Sequence, residues 1–398
     1  MIDFDDALKQ LLDTHTSTLE SETLPLAAAA NRVLAESLIA RCDSPLFDNS
    51  AMDGYAVCDK EGRLKDFKVV DRVLAGDEAA QPLKAGEAVR IFTGAPLPKN
   101  TTAVVPQEQT EIYGEKLHVI DSIKSGQHMR IKAEEIQTGQ VLLEKGHLLD
   151  AAGLGLAASQ GYAELSVYRT LKIIVFSTGN EVCEPGDALS KGKIYDANRY
   201  QLLAWLPKLG ATVTDGGIIS DDLIATERAL VEAAKAYDVI ITSGGASVGE
   251  ADYLKQAITQ VGKLTTHSLA IKPGKPFAWG NIGHTQVFIL PGNPVAAFAT
   301  SHMLLYPVLN SLAGKAERYW QLPYFYGIAH FQTKKAIKRR EFLRAWVDNK
   351  SSETVVTLLP NQGSAMLATC TQANALCEVP IGSVINEGDR VKVYLLPF

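Results

Sequence analysis

The chain has 398 residues, 45 acidic against 39 basic side chains, a formal net charge of −6 and 46% hydrophobic content. This is the balance of an ordinary globular protein of roughly two to four domains. It lacks the basic excess of a nucleic-acid binder, so any anionic ligand must be met by local cations. The 5 cysteines include no CxxC pair, which argues against a disulfide framework or a zinc site. The N-terminus, Met1-Ile2-Asp3-Phe4-Asp5, has neither a basic nor an apolar leader, and no run of about 18 apolar residues suggests a membrane span. The expectation is a soluble cytoplasmic protein without nucleic-acid or membrane partners.

In chain order, Ala7, Leu8, Leu11 and Leu12 have helical spacing within Asp5–Leu19, and a second helix is expected around Ala28–Ser37. From Ala56 to Gly139 short β-like runs (Phe67–Leu74, Ala88–Phe92, Ala103–Gln107, Lys116–Ile120) alternate with turn residues, as in a small all-β module. Asp150–Gln160 is helical again. From Leu171 onward the rhythm is strand, loop, helix. Leu171–Ser177 and Asp238–Ser243 are largely apolar, as strands buried on both faces are. Ala211–Ile219 and Gln286–Leu290 are further strands, and helices are expected over Asp196–Gly210, Asp222–Tyr237, Asp252–Val261 and Pro294 to about Leu312. This order predicts an α/β domain with a doubly wound parallel sheet, whose ligands sit beyond the carboxyl ends of the strands. Beyond Tyr319, β-like runs at Phe342–Val347, Thr354–Leu359, Ala375–Val379 and Arg390–Leu396 predict a small C-terminal β domain.

The loops after the α/β strands hold the residues with chemistry to offer. Ser243-Gly244-Gly245-Ala246-Ser247 joins a strand to a helix, and the glycine pair lets backbone approach a ligand where helix N–H groups attract anions. In Pro291-Gly292-Asn293-Pro294, Asn293 suits an N-cap and Pro294 the first helical position; capping does not exclude ligand contact there. Glu181, Asp221 and Asp252 each follow a strand. One such carboxylate is usually an N-cap, but three on one sheet edge would repel unless a cation lay between them, and Mg²⁺ with phosphate co-ligands fits. Lys272-Pro273-Gly274-Lys275-Pro276 presents two ammonium groups on a stiff turn, suited to phosphate or another oxyanion. No GxSxG elbow, Walker loop or GxGxxG fingerprint occurs.

Two further segments are specific. Phe47-Asp48-Asn49-Ser50-Ala51-Met52-Asp53-Gly54-Tyr55-Ala56 and Ile91-Phe92-Thr93-Gly94-Ala95-Pro96-Leu97-Pro98 resemble the signature of molybdopterin molybdenumtransferases, the MoeA type also found as the E domain of gephyrin. Ser243–Asp252, Lys272–Pro276 and Leu290–Pro294 match that family's α/β domain in the expected order. The resemblance implies a discontinuous N-terminal domain (1–44 with 136–168), an inserted β domain (45–135), an α/β molybdopterin-binding domain (169–316) and a C-terminal β domain (317–398). It implies a homodimer, with Asp53, Thr93 and Glu135 reaching the α/β cleft from the partner subunit. The implied reaction takes adenylyl-molybdopterin and molybdate, with Mg²⁺, to molybdenum cofactor and AMP. Glu181, Asp221 and Asp252 would lie near phosphates and Mg²⁺, Lys272 and Lys275 near oxyanion oxygens, and Arg344 and Ser364 would help bind the oxyanion. Transient contacts with the molybdopterin adenylyltransferase and with cofactor acceptors are implied as well. The sequence departs from the family pattern at Asn180 and Glu135, where many members have Asp, and at Ser268, where Lys can occur. Two other readings remain: a molybdopterin adenylyltransferase, which would lack the signature region and β domains, and a non-catalytic scaffold or molybdopterin-binding protein of the same fold.

Overall fold

The computed structural model describes residues 1–15, 17–245, 253–348 and 353–397. The chain forms two compact units: residues 37–144 with 152–163, and the remainder of the chain.

The smaller unit is built on a six-stranded sheet in the order Ala103–Pro106, Gly54–Val57, Glu87–Ile91, Asp66–Val73, Lys116–Val119, Thr110–Tyr113. Alternation along the strands divides its core. Ala56, Val89, Ile91 and Val104 pack on one face, and Tyr55, Val57, Ala88 and Val105 on the other. The pairing depends on Gly54, because a Cβ there would lie 2.0 Å from the Val105 carbonyl oxygen. Only glycine lets this signature segment run between its two neighbours.

The larger unit contains a six-stranded sheet in the order Thr212–Ile219, Lys172–Thr178, Val239–Ser243, Thr285–Leu290, Pro276–Ile282, Lys263–Ser268. Neighbouring strands among the first four are parallel; the last two join antiparallel. The sheet is therefore mixed, with a parallel doubly wound core and an antiparallel edge. Both faces are covered: Ile173, Val175, Ile241 and Phe288 belong to one core, and Ile174, Phe176, Ile240 and Val287 to the other. That double burial is why these strands are apolar throughout. The C-terminal sheet closes on itself, since Arg340–Asp348 pairs with both Val355–Leu358 and Ala375–Val379. Ile271–Lys272 adds to it in parallel and sets Lys272 opposite Glu341.

Two helices differ from the sequence expectation. Ala28–Ser37 is not a helix: a 3₁₀ turn at Leu26–Ala28 is capped at Ala29, Asn31 follows with φ of 61°, and Val33 and Leu34 bridge to Leu148 and Val167. The Pro294–Leu312 helix is interrupted by a π segment at Ser301–Leu305. Pro307 has no N–H for the carbonyl four residues back, and the helix widens just before it. Pro294–Leu312 is long and apolar enough to cross a membrane, which the sequence reading did not register, yet 89% of its apolar window is buried within the fold. It is a core helix.

Candidate functional site

Beyond the carboxyl ends of the parallel strands lies a cleft of about 1150 Å³. Glu181, Asp221, Gly244, Gly245, Lys272, Lys275, Pro291, Gly292, Asn293 and Ser364 all line it. Loops far apart in sequence thus meet at one edge of the sheet, as open α/β folds dictate.

Each loop is shaped by identifiable residues. Gly244 and Gly245 have φ of 96° and 72°, and a Cβ on Gly244 would lie 2.6 Å from the Thr178 carbonyl oxygen. Side chains are excluded there, so backbone forms that wall. Gly274 has φ of 111° and lies against the Pro294–Thr300 helix; a Cβ would fall 2.5 Å from Thr300 Cγ2. The lysine turn is thereby seated on the helix whose first residues border the cleft. Lys272 Nζ lies 2.6 Å from Glu341 Oε1, so one of its two ammonium groups is held by an ion pair.

The adjacent carboxylates Asp221 and Asp222 divide their tasks. Asp222 caps the Leu223–Ala234 helix, accepting from Ala225 N at 2.7 Å. Asp221 lines the cleft and accepts from Asn180 N at 2.9 Å. The Asn180 amide returns the contact through its Oδ1, 3.4 Å from Asp221 N. Glu181 immediately precedes Val182–Cys183, which pairs in parallel with Ile194–Tyr195 across a 10-residue loop, 184–193. Arg199, 2% exposed, anchors this strand pair through Asp196, 2.9 Å from its Nε, and through Glu184 and Asp215. Burial works against the Arg199 charge, but the hydrogen bonds it donates to these carboxylates outweigh it and raise its pKa.

Several expected contacts fall elsewhere. Ser243 is buried and its Oγ accepts from Asn198 Nδ2 at 2.7 Å, so it braces the loop from behind rather than lining the cleft. Pro294 serves as the first helical residue and is not part of the cleft wall. Asn293 occupies the N-cap position without a side-chain cap bond, and its Nδ2 lies 3.4 Å from Ser364 Oγ. Arg344 is not a cleft residue either. It is 1% exposed, and donates to Thr369 Oγ1 at 2.5 Å and to the Asn361 carbonyl at 2.9 Å. Burial lowers its pKa. Its guanidinium holds the 361–363 loop, whose Gln362 and Gly363 line the cleft beside Ser364. Ser247 and Asp252 lie outside the described residues.

Arg339 lines the cleft and was missed by sequence reasoning. Its signal was the Lys338-Arg339-Arg340 run in an acidic chain. Arg340 is spent on Asp5 and Glu378, whereas Arg339 adds a cation to the cleft. Ile194 and Tyr253 supply further wall.

Asp53, Thr93 and Glu135 belong to the other compact unit. Asp53 Oδ1 accepts from both Thr93 N and Thr93 Oγ1 at 2.8 Å, and these bonds, the backbone one foremost, hold its carboxyl below the usual range. Ser44 Oγ donates to Glu135 Oε2 at 3.0 Å. The signature motifs thus form a connected polar group within their own unit.

The fold and cleft define a multidomain α/β protein with lysine, arginine and carboxylate side chains gathered at its strand ends. Residues 2–161 match the MoeA N-terminal region (domains I and II), 174–311 a probable molybdopterin binding domain, and 326–396 the MoeA C-terminal region (domain IV). The chain is 38% identical over 383 residues to a molybdopterin molybdenumtransferase of Haemophilus influenzae, covering 94% of this chain and 93% of that protein. A relative of the same name from a Nostoc species is 32% identical, with 96% and 90% covered. The solved structure of a MoeA protein from Pyrococcus horikoshii aligns with a TM-score of 0.86 at 26% identity, over 100% of both chains. The chain belongs to the MoeA family of molybdopterin molybdenumtransferases.

Proposed function

We propose that this enzyme inserts molybdenum from molybdate into adenylyl-molybdopterin and releases AMP, in the biosynthesis of the molybdenum cofactor. The observation that carries the reading is the cleft itself: one edge of the sheet gathers Glu181, Asp221, Lys272, Lys275 and Arg339 around backbone opened by Gly244 and Gly245. A substrate with a phosphoanhydride and an incoming oxyanion needs cations near oxygens, and carboxylates where a divalent ion can share them. The dithiolene sulfurs replace oxygens of molybdate, which leave as water, and water cleaves the phosphoanhydride to give AMP. Lys275 and Arg339 face the negative charge, Lys272 is steadied by Glu341 for the same task, and Asn293 with Ser364 orients the guest.

Mg²⁺ fits the oxygen donors Glu181 and Asp221. Among the described residues no three His, Cys, Asp or Glu side chains form a ready metal cage. Mg²⁺ commonly completes its octahedron with substrate phosphates and water, so a partial protein ligand set suits it. When bound, it would screen the phosphate charge. We propose further that Asp252 joins these ligands, that the enzyme is a cytoplasmic homodimer to which Asp53, Thr93 and Glu135 contribute across subunits, and that it contacts the molybdopterin adenylyltransferase and cofactor acceptors transiently. These last readings are supported by the family resemblance.

The test follows AMP release from adenylyl-molybdopterin with Mg²⁺ and molybdate. Asp221→Ala and Lys272→Ala should each slow release by about 10²-fold or more at unchanged thermal stability, as loss of a preorganised charge does. If both turn over like the parent, the cleft is not the site of reaction.

A further inference from the structure

The two loops that form the glycine wall of the cleft leave neighbouring strands. Val239–Ser243 and Thr285–Leu290 run parallel, and Ser243 opposite Leu290 is their last pair. Past the end of a ladder, backbone groups must find other partners. Gly244 N donates to the Leu290 carbonyl oxygen at 3.3 Å, a long bond for its kind. The two loops nevertheless stay together: a Cβ on Gly292 would lie 3.9 Å from Gly244 Cα, and both glycines line the cleft.

The tie comes from a third segment. Asn198 is the first residue of the Asn198–Trp205 helix and is buried. Its Nδ2 donates to Ser243 Oγ at 2.7 Å and to the Gly292 carbonyl oxygen at 2.8 Å. One amide thus serves both loops. A carbonyl oxygen can only accept, so the Gly292 contact fixes which way the amide is turned. The two N–H bonds of a planar amide diverge at a set angle, which makes this a rigid spacer between the loops. Asn198 does not itself line the cleft. Arg199, the next residue, anchors the Val182–Cys183 strand through Glu184, so consecutive side chains at one helix start brace different walls.

We propose that Asn198 is a positioning residue for the reaction, holding the Gly244 and Gly292 backbone at the spacing that receives the substrate's phosphate oxygens. This role rests on the function proposed above. Loop N–H groups bind an anion as a set, and a displacement of about 1 Å can cost up to about 10²-fold.

Asn198→Asp keeps the shape of the side chain but places an acceptor against the Gly292 carbonyl. Ser243→Ala removes one tie and leaves the other. At a pH of about 8, Asn198→Asp should raise the KM for adenylyl-molybdopterin about tenfold while kcat changes less than about twofold, and Ser243→Ala should raise KM about two- to threefold. Burial raises the pKa of the new carboxyl, and protonation gives it back a donor. The ratio of Asn198→Asp to parent kcat/KM should therefore climb as pH falls toward about 6, whereas the Ser243→Ala ratio should stay flat. Hydrogen exchange read by mass spectrometry should be faster in Asn198→Asp for peptides spanning Val239–Gly245 and Thr285–Gly292, and unchanged for Arg340–Asp348. Should that variant fail to fold, Asn198→Ala carries the same exchange and KM tests without a buried charge. Exchange needs no turnover, so it stands apart from a failure of the proposed function, which would show as a parent that releases no AMP. The proposal is overturned if these two peptides exchange at the parent's rate, if KM stays within about twofold of the parent, or if the Asn198→Asp ratio does not change with pH.

Discussion

Asp221 and Asp222 are chemically identical neighbours, separated only by what the backbone leaves free. A helix start needs one carboxylate for its N–H groups, and the register gives that duty to Asp222. The same distinction governs the carboxylates around Arg199. Asp196 is buried with the arginine, whereas Glu184 is 40% exposed and belongs to the segment behind the cleft-lining Glu181. Asp196→Asn should therefore cost roughly 3–5 kcal/mol in chemical denaturation, because it leaves a buried guanidinium without its inner partner. Glu184→Gln should cost under about 1 kcal/mol, since its charge is largely solvated. It should still loosen the Val182–Cys183 and Ile194–Tyr195 pair and raise the KM for adenylyl-molybdopterin about three- to tenfold with a smaller change in kcat, and Glu184→Asp should recover part of that loss. Equal effects of Glu184→Gln on KM and kcat would mean that this strand pair does not position Glu181 for binding.

At the scale of elements, the Pro294–Leu312 helix joins the cleft to the core. Its N-terminal turn borders the cleft through Asn293 and Ala296, and its π segment carries the buried His302, with Nδ1 2.8 Å from the Phe298 carbonyl oxygen. Burial lowers the pKa of His302 from 6.5 to about 4. The folded protein holds the ring neutral, so between these values the unfolded chain binds the extra proton. The contribution of His302 is complete above pH 6.5 and is lost as pH falls toward 4. It amounts to roughly 2–4 kcal/mol, and urea unfolding at stepped pH should show the loss in the parent and a flatter profile in His302→Gln. Equal slopes would place the acid sensitivity elsewhere. Elements of this kind were legible in sequence when burial was two-sided or periodic. The parallel strands Lys172–Thr178 and Val239–Ser243 announced themselves as largely apolar runs, and the strand-end loops as glycine, carboxylate and lysine. The antiparallel strands Lys263–Ser268 and Pro276–Ile282 did not, because Gly280 and the polar residues beside it read as loop. Gly280 is in fact demanded by the pairing: a Cβ would lie 2.0 Å from the Lys263 carbonyl oxygen. Composition also cannot tell which way a side chain points. Ser243 and Arg344 read as ligand-facing groups, yet both serve the loops from behind.

For the molecule as a whole, the acidic and basic groups of the cleft lie in one compact unit, and Asp53, Thr93 and Glu135 in the other. Under the homodimeric reading, the two sets meet across subunits, which has a quantitative consequence. A subunit carrying Asp53→Ala keeps an intact cleft, and one carrying Asp221→Ala keeps an intact signature region. Each variant alone forms dimers with no complete site. In a mixed dimer, the cleft of the first subunit faces the signature of the second, giving one complete site and one doubly defective site. Random pairing makes about half of all dimers mixed, so equimolar co-refolding should restore about one quarter of the parent's AMP release per subunit. Restoration should require subunit exchange and should vanish when the two variants are mixed as preformed, non-exchanging dimers. A site completed within one chain predicts no recovery under either condition, because every cleft and signature would remain paired with its own defect.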